Sequence, residues 1–294
     1  MKKRIFFSLI IFGMFLIPFL ILSNHFINTV NEINLNGALS RMEFSINSIS
    51  SKLADTLIKE YDVLKNIRDS NIEDSVIRSK AREILNSSTI VKKISVFSLN
   101  GSLIYSTDAK EKKSLKSDRL FETAKDIKIP VGIVAYPDNS PPELIMGEKI
   151  SDKIIITVMD LGFLNEQLIK ISRKLYGSIY LVDGDNNIIF DSNYDYIFNS
   201  GTKINENIST LISSLISRNL FSYKGIISIN GEKTLIAISN IEGTKWWLIN
   251  TTHYEKMVDM GLISWAKRVV YLGIALFIVF SYISVLLMER FYNA

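Results

Sequence analysis

Residues 96–105 (VFSLNGSLIY) align with residues 181–190 (LVDGDNNIIF) at an offset of 85 positions, and this internal repeat decides the fold. Each stretch contains two apolar runs separated by a short polar segment. In the first stretch that segment is Asn100-Gly101, a pair typical of tight hairpin turns. Residues 184–186 (GDN) stand at the matching place in the second. Each stretch therefore predicts two antiparallel strands joined by a turn.

The elements predicted after each hairpin also repeat in order. In both copies a short helix is followed by three strand-like runs. The first copy has a helix at 120–126 and strands at 131–136, 144–150 and 153–159. The second copy has a helix at 208–216 and strands at 221–229, 233–240 and 245–251. The sequence thus predicts two tandem modules, each a five-stranded antiparallel sheet with helices on one side.

A long helix is predicted ahead of both modules, over residues 24–69. Its apolar residues recur at steps of three and four, which defines one helical face. They are Leu35, Leu39, Met42, Ile46, Ile49, Leu53, Leu57, Tyr61, Leu64 and Ile67. Such a stripe is typical of a coiled-coil seam between two copies or of a spine on which smaller domains pack. Both interpretations stay open, and they are compatible.

Two apolar runs, 5–22 and 269–288, bracket the rest of the chain, and each is long enough to cross a bilayer. Basic residues 2–4 precede the first run, which predicts a cytoplasmic N-terminus. A cleaved signal peptide is the alternative, but the run exceeds the usual apolar length and no A-x-A-like site follows. We therefore expect a two-pass protein of the cytoplasmic (inner) membrane with residues 24–268 extracytoplasmic.

Composition excludes several classes of function. The 294-residue chain has no cysteine and only two histidines, His25 and His253. Disulfides, thiolate metal sites and cysteine nucleophiles are excluded, and a histidine zinc site or a Ser-His-Asp triad is disfavoured. No phosphate-binding loop and no H-E-x-x-H motif occurs. The net charge of +4 is not concentrated in one block, so no nucleic-acid partner is expected. We predict a protein that is not an enzyme and uses neither metal nor cofactor.

The sequence between the two spans resembles the double Cache sensor domain of bacterial chemoreceptors and sensor kinases. The resemblance covers about residues 24–254. Beyond the long helix it rests on residues 96–108, 117–121, 135–138, 158–161 and 244–248. It implies an α+β fold in which a long N-terminal helix leads into two PAS-like antiparallel-sheet modules, flanked by two transmembrane helices. The membrane-distal module is expected at 72–163 and the membrane-proximal module at 174–254.

The resemblance also implies a ligand site in the distal module. In relatives that bind amino acids, an arginine and aromatic residues of the short helix hold the ligand carboxylate, while tyrosine and aspartate hold its ammonium group. Those chemistries suit a guanidinium fork and a carboxylate beside an aromatic face. The matching residues here are Arg119, Phe121, Tyr136, Asp138 and Asp160, and Tyr105 is expected to face the same pocket. The alternative is that Arg119 pairs with a neighbouring acidic residue while Asp160 merely ends a strand.

The function implied is that of a sensor for chemotaxis or a related signalling pathway. Its expected partners are a small-molecule ligand such as an amino acid or carboxylate, the membrane, a second copy through the long helix, and a cytoplasmic or membrane signalling partner. Few residues follow the second run, so the output is expected on a partner or on a further domain. The rival interpretation is a structural or adhesive membrane protein that uses the tandem fold as a spacer.

Overall fold

The computed structural model describes residues 2–68, 74–110, 119–126, 131–135, 142–173, 175, 177–193, 202–257 and 260–293. The chain divides into two compact units. One combines Met1–Arg41 with His253–Ala294, and the other is Met42–Thr252. The first unit is helical, and the second contains both predicted sheets.

The helical unit is built from the two ends of the chain. The first helix, α1 (Lys2–Arg68), runs without interruption through the first apolar segment and the predicted long helix. Near the other end, α7 (Met260–Asn293) contains Gly261–Ser284, which is long and apolar enough to cross a membrane. It is the one such helix in the part of the chain that the structure describes. Most side chains of the run 5–22 lie outside the described set, so that span stays a prediction.

Aromatic packing joins these two helices within the helical unit. The rings of Phe19 and Phe277 stack with centroids 6.3 Å apart and an interplanar angle of 5°. Gly273 makes this approach feasible, because a Cβ atom there would lie only 2.8 Å from the Phe19 ring.

The first sheet follows the helix α2 (Asp74–Ser87). Its elements are β1 (Val91–Ser98), β2 (Leu103–Ser106), α3 (Arg119–Asp126), β3 (Val131–Ala135), β4 (Glu143–Ile150) and β5 (Lys153–Asp160). The strands lie in the order β2-β1-β5-β4-β3 and all described pairs are antiparallel. The hairpin and the three later strands are therefore as the sequence predicts.

The second sheet repeats that topology. A connecting helix, α4 (Gly162–Ser172), leads to it. Its elements are β6 (Ser178–Val182), β7 (Ile188–Asp191), α5 (Glu206–Ser217), β8 (Ser222–Ile229), β9 (Glu232–Asn240) and β10 (Trp247–His253). The order β7-β6-β10-β9-β8 matches the first sheet strand for strand. A short helix, α6 (Tyr254–Met257), follows β10.

The last strand begins two residues later than the sequence predicts. The Thr244 amide donates to the Ile241 carbonyl, and the Trp246 amide donates to the Thr244 hydroxyl at 3.0 Å. Gly243 adopts a positive φ of 78° inside this turn. These bonds keep Lys245 in the turn, so the strand starts at Trp247.

The repeat at an offset of 85 extends to individual hydrogen bonds. The Gly101 amide donates to the Ser98 carbonyl, and the Asn186 amide donates to the Asp183 carbonyl. Both turn residues have positive φ, 85° for Gly101 and 64° for Asn186. Glycine and asparagine are the residues that tolerate this conformation best, which explains why these types occur at the matched turns.

The part of α1 that belongs to the second unit packs along the second sheet. Met42, Ile46, Ile49 and Leu53 are buried there. The Ser50 hydroxyl donates to the Asn240 carbonyl at the end of β9, at 2.8 Å. Glu43 forms an ion pair of 2.6 Å with Lys224 on β8. This part of the apolar stripe is thus buried within the chain, as the spine interpretation requires.

Candidate functional site

The first sheet buries a different cluster on each of its two faces. Successive residues of a strand point to opposite sides, so Val96 and Phe97 separate onto different faces. One face packs against α2 through Ile77, Ala81, Ile84, Ile94, Val96, Ile155 and Met159. The opposite face, which we call the α3 face, packs against α3 through Phe97, Leu120, Phe121, Ala124, Ile154 and Ile156. A site that involves α3 must be formed on this second face.

Small residues bring α3 close to the sheet. Gly147 of β4 lies under the helix, and a Cβ atom there would come within 3.0 Å of the Ala124 Cβ and 3.5 Å of the Leu120 Cγ. The absence of a side chain at Gly147 therefore lets the helix approach β4 directly. This contact sets the position of Arg119 and Phe121, which occupy the first turn of α3.

Phe121 is part of the apolar core of the α3 face. Its side chain is completely buried. Its ring meets Phe97 in an edge-to-face arrangement with centroids 6.1 Å apart, a geometry favoured by the ring quadrupoles. Phe121 thus anchors α3 to the sheet. Arg119 is the first residue of α3, and its side chain lies outside the described set.

Charged groups gather where β5 ends on the α3 face. Asp160 shares the side of β5 that carries Ile154 and Ile156, and it pairs in register with Glu143. The Lys92 ammonium lies 3.1 Å from Glu143 Oε1 and 3.3 Å from Asp160 Oδ2. The other carboxylate oxygen of Asp160 accepts the Gly162 amide at 2.7 Å. We call Lys92, Glu143 and Asp160 the Lys92 cluster.

The Lys92 cluster is only partly shielded from water, and its lysine side chain is 38% exposed. Burial of Lys92 would lower the pKa of its ammonium, but the hydrogen bonds and negative charges of Glu143 and Asp160 outweigh burial and raise that pKa. Lys92 therefore stays protonated at neutral pH. With one cation and two carboxylates, the cluster carries a net negative charge.

The structure does not bring all predicted site residues together. Tyr105 pairs in register with Val96 and so lies on the α2 side of the sheet. There Arg82 Nε donates to its hydroxyl at 3.3 Å, and the Arg78 guanidinium lies 5.7 Å from its ring centroid. The expectation that Tyr105 faces the same site as Phe121 and Asp160 is corrected by this register. Tyr136 and Asp138 lie outside the described residues.

Two members of the Lys92 cluster were missed at the level of sequence. Glu143 could have been found from the pairing of β4 with β5, because it lies directly opposite Asp160. Lys92 had no comparable signal, since its position depends on a register shift in β1 between Val91 and Lys93.

The repeat at an offset of 85 also relates a polar pair in the second sheet to a pair of serines in the first. In the first sheet Ser95 and Ser106 are register partners whose hydroxyls lie 2.9 Å apart. At an offset of 85 their counterparts are Tyr180 and Asp191. Asp191 is 6% exposed and accepts the Asn193 amide at 2.8 Å. Burial raises the pKa of Asp191. Burial and the Asp191 charge together raise the pKa of Tyr180.

No protein-family model and no curated protein sequence matches this chain. Solved structures do match it in fold. The extracellular domain assigned to the histidine kinase rpHK1S-Z16 is 11% identical, with a TM-score of 0.57 over 78% of this chain and 99% of that one. The ligand-binding domain of the Campylobacter jejuni chemoreceptor Tlp3, in complex with L-norvaline, is 13% identical, with a TM-score of 0.56 over 77% and 94%.

A third match is the ligand-binding domain of the Pseudomonas fluorescens chemoreceptor CtaA in complex with L-isoleucine. It is 13% identical, with a TM-score of 0.54 over 79% of this chain and 98% of that one. These neighbours are sensor and receptor domains rather than enzymes. Identities this low establish the fold alone. The chain has the fold of the extracellular sensory domains of chemoreceptors and histidine kinases, in agreement with its resemblance in sequence to the double Cache sensor domain.

Proposed function

We propose that this protein is a membrane-anchored sensor that binds a small molecule on the α3 face of its first sheet and transmits the event across the membrane. The observation that carries the proposal is the Lys92 cluster, which places charged groups beside the buried apolar face under α3. Relatives in fold include sensory domains in complex with L-norvaline and L-isoleucine. A site that combines charge with apolar surface suits ligands of that general chemistry.

The proposed organisation follows the resemblance. Residues 72–163 form a membrane-distal module and residues 174–254 a membrane-proximal module, with 24–268 outside the membrane. The spans 5–22 and 269–288 anchor the chain at both ends as a two-pass protein of the cytoplasmic membrane. The continuous helix α1 would then pass directly from the first span into the extracytoplasmic part.

The proposed ligand site uses the α3 face. Arg119 would pair with an anionic group of the ligand, since a guanidinium binds a carboxylate with two hydrogen bonds. Phe121, whose side chain is completely buried, would hold α3 in position from the apolar core, and Asp160 would supply the charged end. Tyr136 and Asp138 are retained as candidates from the resemblance, whereas Tyr105 is removed because it lies on the other side of the sheet.

Signal transmission is proposed to use the helices that leave the two sheets. The connecting helix α4 starts directly after Asp160, and the Asp160 carboxylate holds the Gly162 amide of its first turn. A ligand that changes the contacts of Asp160 would therefore act on α4. Displacements of helices by one or two ångströms are a common form of switching. A signalling partner or a further output domain would receive the movement, and a second copy would associate through α1.

A thermal-shift screen of the full chain in detergent tests the proposed function. A ligand that binds only the folded state stabilises it by mass action. Arg119→Ala should weaken a carboxylate ligand by roughly ten- to a hundred-fold, the value of a charge-assisted hydrogen bond. Lys110→Ala, on an exposed turn, is the control. If no compound from a broad metabolite set shifts the melting temperature, the spacer interpretation replaces the sensor.

A further inference from the structure

The two carboxylates of the Lys92 cluster already have a cation. The Lys92 ammonium lies within 3.3 Å of a carboxylate oxygen of both Glu143 and Asp160. Both carboxylates are partly buried, with side chains 24% and 30% exposed. Removal of the ammonium would leave two negative charges on register partners, and like charges directly opposite each other in a sheet are destabilising. The lysine therefore offsets one of the two negative charges at this end of the α3 face.

A local irregularity of β1 places the lysine there. Val91 pairs with Met159 and Lys93 pairs with Val158, so Lys92 is an extra residue in β1. Such a bulge redirects a side chain from the regular alternation of the strand and often occurs beside functional sites. The backbones of the two segments are still hydrogen-bonded beyond the bulge, because the Asp160 amide donates to the Ile90 carbonyl at 2.8 Å. Lys92 is thereby directed at Asp160 by the backbone rather than by a flexible loop.

An amino acid brings an ammonium group of its own, and that group requires an anionic partner when it leaves water. At this end of the α3 face the described anionic partners are Glu143 and Asp160, and both are in contact with Lys92. A ligand ammonium would therefore have to displace Lys92 or lie beside it. Displacement costs the ion pairs of the cluster, and coexistence places two like charges in contact. Either way, the contacts of Lys92 reduce what the ligand amino group gains by pairing with these carboxylates.

We propose that Lys92 is a specificity-determining residue that takes the place of a ligand amino group, so that the site binds carboxylates without an amino group in preference to amino acids. The inference rests on the proposed function, because it names the ligand class of the same site. It predicts a difference from the amino-acid-bound chemoreceptor domains that share the fold. The raised pKa of Lys92 supports it, since the lysine stays charged at neutral pH.

The test compares pairs of compounds that differ only in the amino group. L-valine is paired with 3-methylbutanoate, and L-isoleucine with 3-methylpentanoate. Dissociation constants are measured by calorimetry on the full chain in detergent. Lys92→Met keeps most of the length of the unbranched side chain and removes its charge. Lys110→Met, on an exposed turn, is the matched control. A second variant combines Lys92→Met with Glu143→Gln, so that loss of the cation does not leave two adjacent carboxylates.

The wild type should bind the amine-free member of each pair at least ten-fold more tightly. Lys92→Met, or the double variant if the single one is unstable, should gain affinity for the amino acid by ten-fold or more. Lys110→Met should behave like the wild type. A wild type that binds no compound while a lysine variant binds the amino acid would overturn the proposed preference for carboxylates.

Two further results overturn the inference and leave the proposed function standing. One is a wild type that prefers the amino acid, and the other is a preference that neither lysine variant changes. If no pair binds to the wild type or to either variant, the inference fails. The metabolite screen then decides separately whether the chain binds any ligand.

Discussion

At the residue scale, Asp160 and Asp191 are chemically identical groups that have different partners and different burial. Asp160 has a lysine and a backbone amide as partners. Asp191 is more deeply buried, and its hydrogen bonds come from Asn193. Burial raises the pKa of Asp191, and those hydrogen bonds offset the effect only in part. Ionisation of Asp191 therefore opposes folding.

Replacement of Asp191 tests this account through the pH dependence of stability. A carboxyl with a raised pKa binds more protons in the folded state. Its stabilising contribution is thus present at acid pH and is lost as the pH rises from the ordinary value of 3.8 through the raised one. Asp191→Asn replaces the carboxyl with an amide that does not ionise, so the variant does not lose this stability as the pH rises. The melting temperature of the variant minus that of the wild type should become more positive between about pH 4 and pH 7.

Asp185→Asn, at an exposed position of the neighbouring turn, is the control and should show no such trend. Parallel pH profiles for wild type and Asp191→Asn would contradict the assigned cause of the shift.

Phe121 provides a second test at this scale, because its ring joins α3 to the first sheet. Its ring is fully buried against Phe97. Phe121→Ala should lower the free energy of unfolding by about 3–5 kcal/mol, the usual cost of a buried phenylalanine. Phe221→Ala, at a ring that is 72% exposed, is the control. Denaturant titration measures both, and an equal effect of the two substitutions would contradict the packing described for α3.

At the element scale, α1 carries two sets of apolar residues, one buried and one exposed. Met42, Ile46, Ile49 and Leu53 are buried within the chain. This part of the stripe is therefore not available as the dimer seam that the sequence left open. Phe44 and Ile58 remain exposed, and they lie two heptads apart on one face of the helix. A second copy that associates through α1 would use this exposed set.

Substitutions at a buried and at an exposed apolar position of α1 should affect stability and association in opposite ways. Ile46→Ala should cost about 2–5 kcal/mol of stability, because it leaves a cavity between the helix and the second sheet. Phe44→Asp should leave the melting temperature of the chain nearly unchanged, since the Phe44 side chain is 78% exposed. The same Phe44→Asp substitution should reduce chemical crosslinking of two copies.

The control for Phe44→Asp is Asn47→Asp, which introduces the same charge at an exposed position one turn further along α1. It removes no apolar side chain, so it should reduce crosslinking less than Phe44→Asp does. Undiminished crosslinking of Phe44→Asp would show that copies do not associate through this exposed set. A large loss of melting temperature in Phe44→Asp would place the residue in the folded core instead.

At the scale of the whole molecule, the arrangement across the membrane is the feature that a labelling experiment can decide. The chain has no cysteine, so a thiol reagent labels this protein only at a cysteine that has been introduced. With a cytoplasmic N-terminus and two spans, Asn24→Cys should react with a membrane-impermeant reagent in intact cells, and Ala294→Cys should react only after lysis. Labelling of position 294 but not of position 24 would reverse the proposed topology.

The sequence by itself determined the elements and their order, because those depend on local signals. Hydrophobic period, the Asn100-Gly101 turn and the repeat at 85 positions predicted both hairpins, the strands and the short helices, and α3 and α5 agree with prediction within two residues at each end. The continuity of α1 through residues 23–25 was not predicted, since the span 5–22 and the helix 24–69 were assigned as separate elements.

Only the tertiary structure decided which side chains meet. The side of the sheet on which Tyr105 lies depends on its register with Val96, and a shift of one residue would have reversed it. The approach of Lys92 to Asp160 depends on a bulge in the pairing of β1 with β5, two strands far apart in sequence. Whether the stripe of α1 faces its own chain or a second copy depends on the distant strands β8 and β9. Local periodicity carries no information on such long-range pairing, which is why the fold was predictable and the contacts of Tyr105 and Lys92 were not.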